Sequence, residues 1–239
     1  GVDVGWWAFN DGATNDSAAF AQAFTSLASG GKVTVPAGSF QLSTNLTDIP
    51  DGITIEGQGH SYDTGDSVTT LHIRTAHTAF TIGAAQRNVT FRNLRFEGED
   101  KTNTIAVLLQ ADAVDGASFG LRFDNVMFNT LAMGVDYHSL SGAWQYEQID
   151  FNYCHFGDCD IGFRVNSINS SIAFNNVGFD LPASGIGIQA TTGIGQLWMA
   201  NCRGGGTGTA LLDIGVAAIH TTVTIISSES EGPTYFLRS

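Results

Sequence analysis

Hydrophobic positions along this chain follow two regimes. In the first, Asp16 precedes Ser17 to Leu27, where Phe20, Phe24 and Leu27 recur at helical spacing. Asp16 reads as the N-cap and Gly30-Gly31 as the stop, which predicts one short amphipathic helix over 17–27. The next stretch, Val33-Thr34-Val35-Pro36-Ala37-Gly38-Ser39-Phe40-Gln41-Leu42, alternates apolar and polar residues on both sides of a Pro/Gly turn and predicts two strands. Pro36 suits a strand end, since it cannot donate to a ladder.

From about Gly52 a second regime takes over, a repeat of the form Phe-x-Asn-apolar-x-Phe. It stands as Phe91-Arg92-Asn93-Leu94-Arg95-Phe96, Phe123-Asp124-Asn125-Val126-Met127-Phe128, Phe151-Asn152-Tyr153-Cys154-His155-Phe156 and Phe174-Asn175-Asn176-Val177-Gly178-Phe179. Met199-Ala200-Asn201-Cys202 and Ile225-Ile226-Ser227-Ser228 are weaker copies, so first positions lie 32, 28, 23, 25 and 26 residues apart. After each copy comes a brief alternating strand: Val107-Leu108-Leu109, Val135-Asp136-Tyr137, Phe163-Arg164-Val165, Ile188-Gln189-Ala190 and Leu212-Asp213-Ile214. Gly134, Gly162 and Gly187 directly precede three of them.

Such a period, holding about three strands and no helix, is too short for a propeller blade and lacks the helix of most leucine-rich repeats. Stacked coils of parallel strands satisfy it, each rung burying its Phe, Val or Ile on the equivalent residue of the next. The repeated Asn belongs at a sharp bend between two strands, because Asn tolerates the left-handed conformation. Asn93, Asn125, Asn176 and Asn201 would then stack and share amide hydrogen bonds. The predicted fold is all-β, a right-handed single-stranded parallel β-helix of six to eight coils with a capping helix. The cap and first strands take 1–50 and the coils 51–239, in one continuous domain.

Composition agrees and narrows the function classes. Only 14 % of the residues are charged, with 29 glycines and 4 prolines, as many short strands and turns require. The net charge of −13, with no basic cluster, argues against nucleic acid. No apolar run approaches the ~20 residues of a membrane span, so membrane insertion is not expected. The chain opens at Gly1 without a charged-then-apolar leader, which reads as a leader absent or removed. Cys154, Cys159 and Cys202 have no paired spacing and read as small wall residues; neither a metal nor a cofactor is expected.

The segment Asp11-Gly12-Ala13-Thr14-Asn15-Asp16-Ser17-Ala18-Ala19-Phe20-Ala21-Gln22-Ala23-Phe24, the strand pair after it and Gly52-Ile53-Thr54-Ile55-Glu56-Gly57-Gln58-Gly59 resemble the opening of the pectate-lyase-like superfamily. With the repeats, the resemblance spans nearly the whole chain, and it is nearest in character to bacteriophage tailspike depolymerases. It implies a helix that caps the first coil, a groove for polysaccharide or oligosaccharide, and a virion or extracellular location. The Gly-His-Gly of polygalacturonases and the calcium-ligating acidic trio of pectate lyases are absent, which leaves the reaction type open.

Candidate chemistry gathers on the glycine-led strand, whose outward positions Leu108, Asp136, Arg164, Gln189 and Asp213 form one column. Asp136 and Arg164 stand one rung apart, and the preceding turn supplies Asp158 and Asp160. These four are the catalytic candidates: two carboxylates for hydrolysis, or Arg164 as base or charge neutraliser of a uronate lyase. Trp144, Tyr146, His138, Gln189 and Asp213 are the candidates for carbohydrate contact. His60, His72, His77 and His220 read as isolated surface or turn residues, and Trp6 and Trp7 as a cover over the first coil. Outward Leu108, Trp198 and Ile226 suggest subunit contacts in a parallel homotrimer. Three classes remain: a virion spike that binds host polysaccharide with or without cleaving it, a secreted lyase or glycoside hydrolase, and a non-catalytic structural or adhesive β-helix.

Overall fold

A computed structural model describes residues 1–60, 68–83, 86–111, 120–139, 148–166, 171–191, 194–215, 222–232 and 235–238. They wind into a right-handed parallel β-helix of about seven coils, with its strands on three faces. The first face runs from Val2–Asp3 through Ile53–Glu56, Gln148–Asn152 and Ser171–Asn175 to Thr222–Ile226. A second runs from Asp11–Asn15 through Thr69–Ile73, His155–Gly157 and Gly178–Leu181 to Glu229–Ser230. The third is a separate sheet: Thr78–Ile82, Ile105–Ala111, Met133–Ser139, Ile161–Asn166, Ile186–Ala190, Ala210–Ile214 and Tyr235–Arg238. The long strands Val89–Gly98 and Leu121–Asn129 turn the corner from the first face to the second.

That corner explains the repeat. Asn93, Asn125, Tyr153, Asn176, Asn201 and Ser227 all adopt φ between 50 and 55°. A left-handed residue breaks the strand alternation once, so the phenylalanines on either side of it both point inward. Phe91, Phe123, Phe151 and Phe174 stack at 5.3, 4.8 and 4.6 Å, with planes within 9° of parallel. Phe96, Phe128, Phe156 and Phe179 form a second stack at 5.4, 4.7 and 5.1 Å. Rungs repeat at about 4.8 Å, so equivalent rings meet at aromatic contact distance.

The expected amide ladder is present where Asn125 donates to Asn93 Oδ1 at 2.9 Å. A second ladder runs one residue earlier, at the variable second position of the repeat. Arg92 and Asn152 both donate to Asp124 at 3.0 Å, and Asn175 donates to Asn152 at 3.1 Å. The three thiols fill the wall as expected. Cys154 and Cys202 follow the corner residue, and all three cysteines are buried. Burial pushes the Cys154 thiol up to about 12 and raises Cys159 and Cys202 as well, so none is poised as a nucleophile.

At the N-terminus the helix Ser17–Ser26 lays Phe20 and Phe24 on the first coils, where Phe20 meets Phe40 at 6.4 Å and Phe80 at 6.1 Å. Asp16 occupies the N-cap position, yet its carboxylate does not cap the helix. It accepts the Phe9 N–H at 2.7 Å and the Gln41 N–H at 3.1 Å, tying the leading segment to the second face. Trp6 and Trp7 do not cover the first coil: they are 71 % and 41 % exposed and pack edge-on against each other. Val4, Phe20, Phe24 and Val33 already fill the space beneath. Among the described residues, no helix is long and apolar enough to cross a membrane.

Candidate functional site

The third face owes its regularity to stacked glycines. A Cβ on Gly134 would lie 2.6 Å from the Gly162 carbonyl oxygen and 2.8 Å from the Phe156 ring, so nothing larger fits there. The strands therefore start in phase, and Val107, Val135, Phe163, Ile188 and Leu212 pair in register with all five side chains in the core. Alternation turns the intervening column outward, and Leu108, Asp136, Arg164, Gln189 and Asp213 are register partners in that order.

Asp136 and Arg164 form a doubly hydrogen-bonded ion pair on this face. Arg164 Nε donates to Asp136 Oδ1 at 2.8 Å and its terminal nitrogen to Oδ2 at 2.6 Å. Both carboxylate oxygens are engaged, and Asp136 is only 3 % exposed although it points away from the core. The hydrogen bond from Arg164 to Asp136 raises the guanidinium pKa further and keeps it charged. This arginine is therefore poor as a proton acceptor and well suited to meeting a carboxylate. Two of its five N–H donors serve Asp136, and the side chain remains partly exposed.

The other predicted residues fall in three groups. Gln189 and Asp213 continue the column, both half-buried. Asp158 and Asp160 sit together at the corner before Ile161–Asn166, where Lys101 Nζ lies 2.5 Å from Asp158 and 3.7 Å from Asp160. Arg164 lies four positions beyond Asp160, about 13 Å of strand, so the corner acids and the Asp136–Arg164 pair are distinct clusters. By backbone register, His138 follows Asp136 by two positions and pairs with Gln110 and Asn166. Trp144, Tyr146 and His220 lie outside the described residues.

A cavity of about 460 Å³ opens away from this pair, on the second face. His155, Asp180, Arg203 and Glu231 line it. Sequence reasoning missed it, and the expectation that His60 and His72 are ordinary surface residues fails with it. Burial lowers the pKa of both, Arg95 bears on both, and His60 also acts on His155. The reason is that these histidines come from separate coils, so no spacing in the sequence marks their burial. Burial drives His155 down to about 4, leaving a neutral imidazole at the cavity edge. The available signal was glycine at outward strand positions, Gly157, Gly178 and Gly205.

No protein-family model matches the sequence, and no curated protein matches it. Among solved structures, the AlgE6 A-module of the Azotobacter vinelandii mannuronan C-5 epimerase aligns with a TM-score of 0.57 at 14 % identity, over 99 % of this chain and 80 % of its own. The AlgE4 A-module from the same organism aligns at 0.53 and 13 %, over 100 % and 98 %. What this chain shares with both modules is the parallel β-helix fold. ORF18 of Geobacillus virus E2 aligns at 0.44 and 14 % over 99 % of this chain, which spans 60 % of that protein's length. In this β-helix the Asp136–Arg164 pair and the His155 cavity occupy different faces, joined by the corner that carries Asp158 and Asp160.

Proposed function

We propose that the chain is a tailspike-like virion protein that binds the polysaccharide of a host surface along its third face. The observation carrying this reading is the outward column with Arg164 held rigid and charged by Asp136. A flat parallel sheet offers polar side chains at about 4.8 Å intervals, a spacing that lets a sugar chain contact several rungs. Arg164 meets an acidic or hydroxyl group of the sugar, Asp136 positions Arg164, and Gln189 and Asp213 supply further hydrogen bonds. Support for a polymer of sugars comes from the fold shared with modules named as mannuronan epimerases. The assignment to a trimeric spike rests on outward, exposed Trp198 and Ile226.

Depolymerisation is the second reading, favoured by four charged candidates, Asp136, Arg164, Asp158 and Asp160, on one sheet and its leading corner. Paired glycosidase carboxyls stand about 5–10 Å apart, less than the strand distance between Asp136 and Asp160. Charge neutralisation of a uronate by Arg164 therefore fits this geometry better than two-carboxylate hydrolysis. The test is incubation with capsular and lipopolysaccharide panels, scored for bound polymer, reducing ends and absorbance of an unsaturated product. Binding that Arg164→Ala removes is the expected result. Wild-type binding that survives both Arg164→Ala and Asp136→Asn overturns the assignment to this face.

A further inference from the structure

The second face carries a trench that the third-face reading leaves unused. Strand alternation sends Arg95, Met127, His155, Gly178 and Arg203 outward in one column, with Glu97, Asn129, Gly157, Asp180 and Gly205 beside them. Solvent-facing strand positions accept almost any side chain, and glycine there weakens a strand. Two of the glycines have packing reasons. A Cβ on Gly157 would meet Asn129 Oδ1 at 2.7 Å, and one on Gly178 would meet His155 Nδ1 at 2.6 Å. Gly205 has none: its Cβ would find only ordinary contacts, the nearest at 3.6 Å, and its backbone is not left-handed. Nothing among the described residues explains why this position is empty.

The space it leaves open is part of the 460 Å³ cavity, within the ~300–1,000 Å³ of small-molecule sites. His155 and Arg203 bound it two coils apart, about 9.6 Å at the strand spacing, room for one pyranose ring over a glycine floor. The walls are hydrogen-bonding groups of both kinds. Asp180 and Glu231 are acceptors, Arg203 a donor, and the neutral His155 imidazole is one of each. Arg203 is already paired with Glu231 at 2.7 Å and Glu229 at 3.7 Å. One cation against Asp180, Glu229 and Glu231 leaves the trench negative, which repels a uronate or phosphate and suits the hydroxyl donors of an uncharged sugar.

We propose that this trench is a second glycan subsite, taking a neutral or N-acetylated hexose residue and independent of the Arg164 face. Whole protein is applied to a glycan array carrying neutral, N-acetylated and uronate oligosaccharides, as wild type and as Gly205→Val. The valine fills the trench in a strand that favours it, so the thermal midpoint stays unchanged or rises. Expected is binding to neutral or N-acetylated glycans that falls at least tenfold in Gly205→Val, with any uronate signal unchanged. Asp180→Asn, a second variant that leaves the trench open, is expected to weaken the same spots. A wild type that binds no uncharged glycan, or a Gly205→Val protein that folds and binds them equally, overturns the proposal. Arg164→Ala tests the third face separately, so the two readings fail independently.

Discussion

Asp136 and Arg164, one coil apart, are joined by two parallel hydrogen bonds of 2.8 and 2.6 Å, with the carboxylate far more buried than the guanidinium. The asymmetry makes the two truncations unequal. Arg164→Ala leaves a buried carboxylate unpaired and lowers stability by about 3–5 kcal/mol. Asp136→Asn leaves an arginine that water reaches, and lowers it by about 1–3 kcal/mol. Urea unfolding of both variants checks the order; equal losses would mean that the pair is solvated like an ordinary surface bridge.

The aromatic stacks make a second prediction. Phe151 lies between Phe123 and Phe174 and is fully buried. Phe151→Ala removes ring contacts on both sides inside a regular stack that cannot collapse, and lowers stability by about 3–5 kcal/mol. Denaturant midpoints measure this. A loss under about 1 kcal/mol would show that the stack relaxes around the gap.

Corner residues predict changes of opposite sign. Asn125 holds φ 55° and donates to Asn93, so Asn125→Ala lowers stability by about 1–2 kcal/mol, while Asn125→Gly retains the backbone and loses less. Tyr153 holds the same conformation with its side chain 66 % exposed. Tyr153→Asn therefore raises stability by about 0.5–1 kcal/mol. Thermal melts of the three variants test whether backbone strain or the amide bond dominates the corner.

Acid sensitivity follows from His155. Its folded pKa is depressed to about 4 from an ordinary 6.5, so between those values the unfolded chain binds a proton that the folded chain refuses. Stability therefore falls as pH drops through that window, by on the order of 3 kcal/mol for this group. His155→Asn flattens that part of the profile, read as urea midpoints at pH 7, 5.5 and 4.5. An unchanged slope in the variant would place the acid sensitivity elsewhere, His60 and His72 being next in line.

The trimer is tested through its contacts. Trp198 and Ile226, each 44 % exposed, lie on the first face, whereas Leu108 is half-buried on the third. Static light scattering at micromolar concentration is expected to give three times the 25.3 kDa chain mass. Trp198→Glu shifts the protein to monomer, because a charge in an apolar contact is desolvated without a partner. A wild-type mass of one chain refutes the trimer.

What the sequence determined by itself is the coil. Its period, the inward phenylalanines and the corner asparagines are local or strictly repeating features, and each side chain meets its own equivalent one rung away. The Asp136–Arg164 contact was legible for the same reason, since equal phase in neighbouring repeats places them side by side. Tertiary structure alone decided what lies across a face instead of along a repeat. His60 acts on His155 although 95 residues separate the two. The exposure of Trp6 and Trp7 depends on which side chains reached the end of the core first. An apolar residue outside the repeat carries no phase relative to it, so its burial is set by the space its neighbours leave.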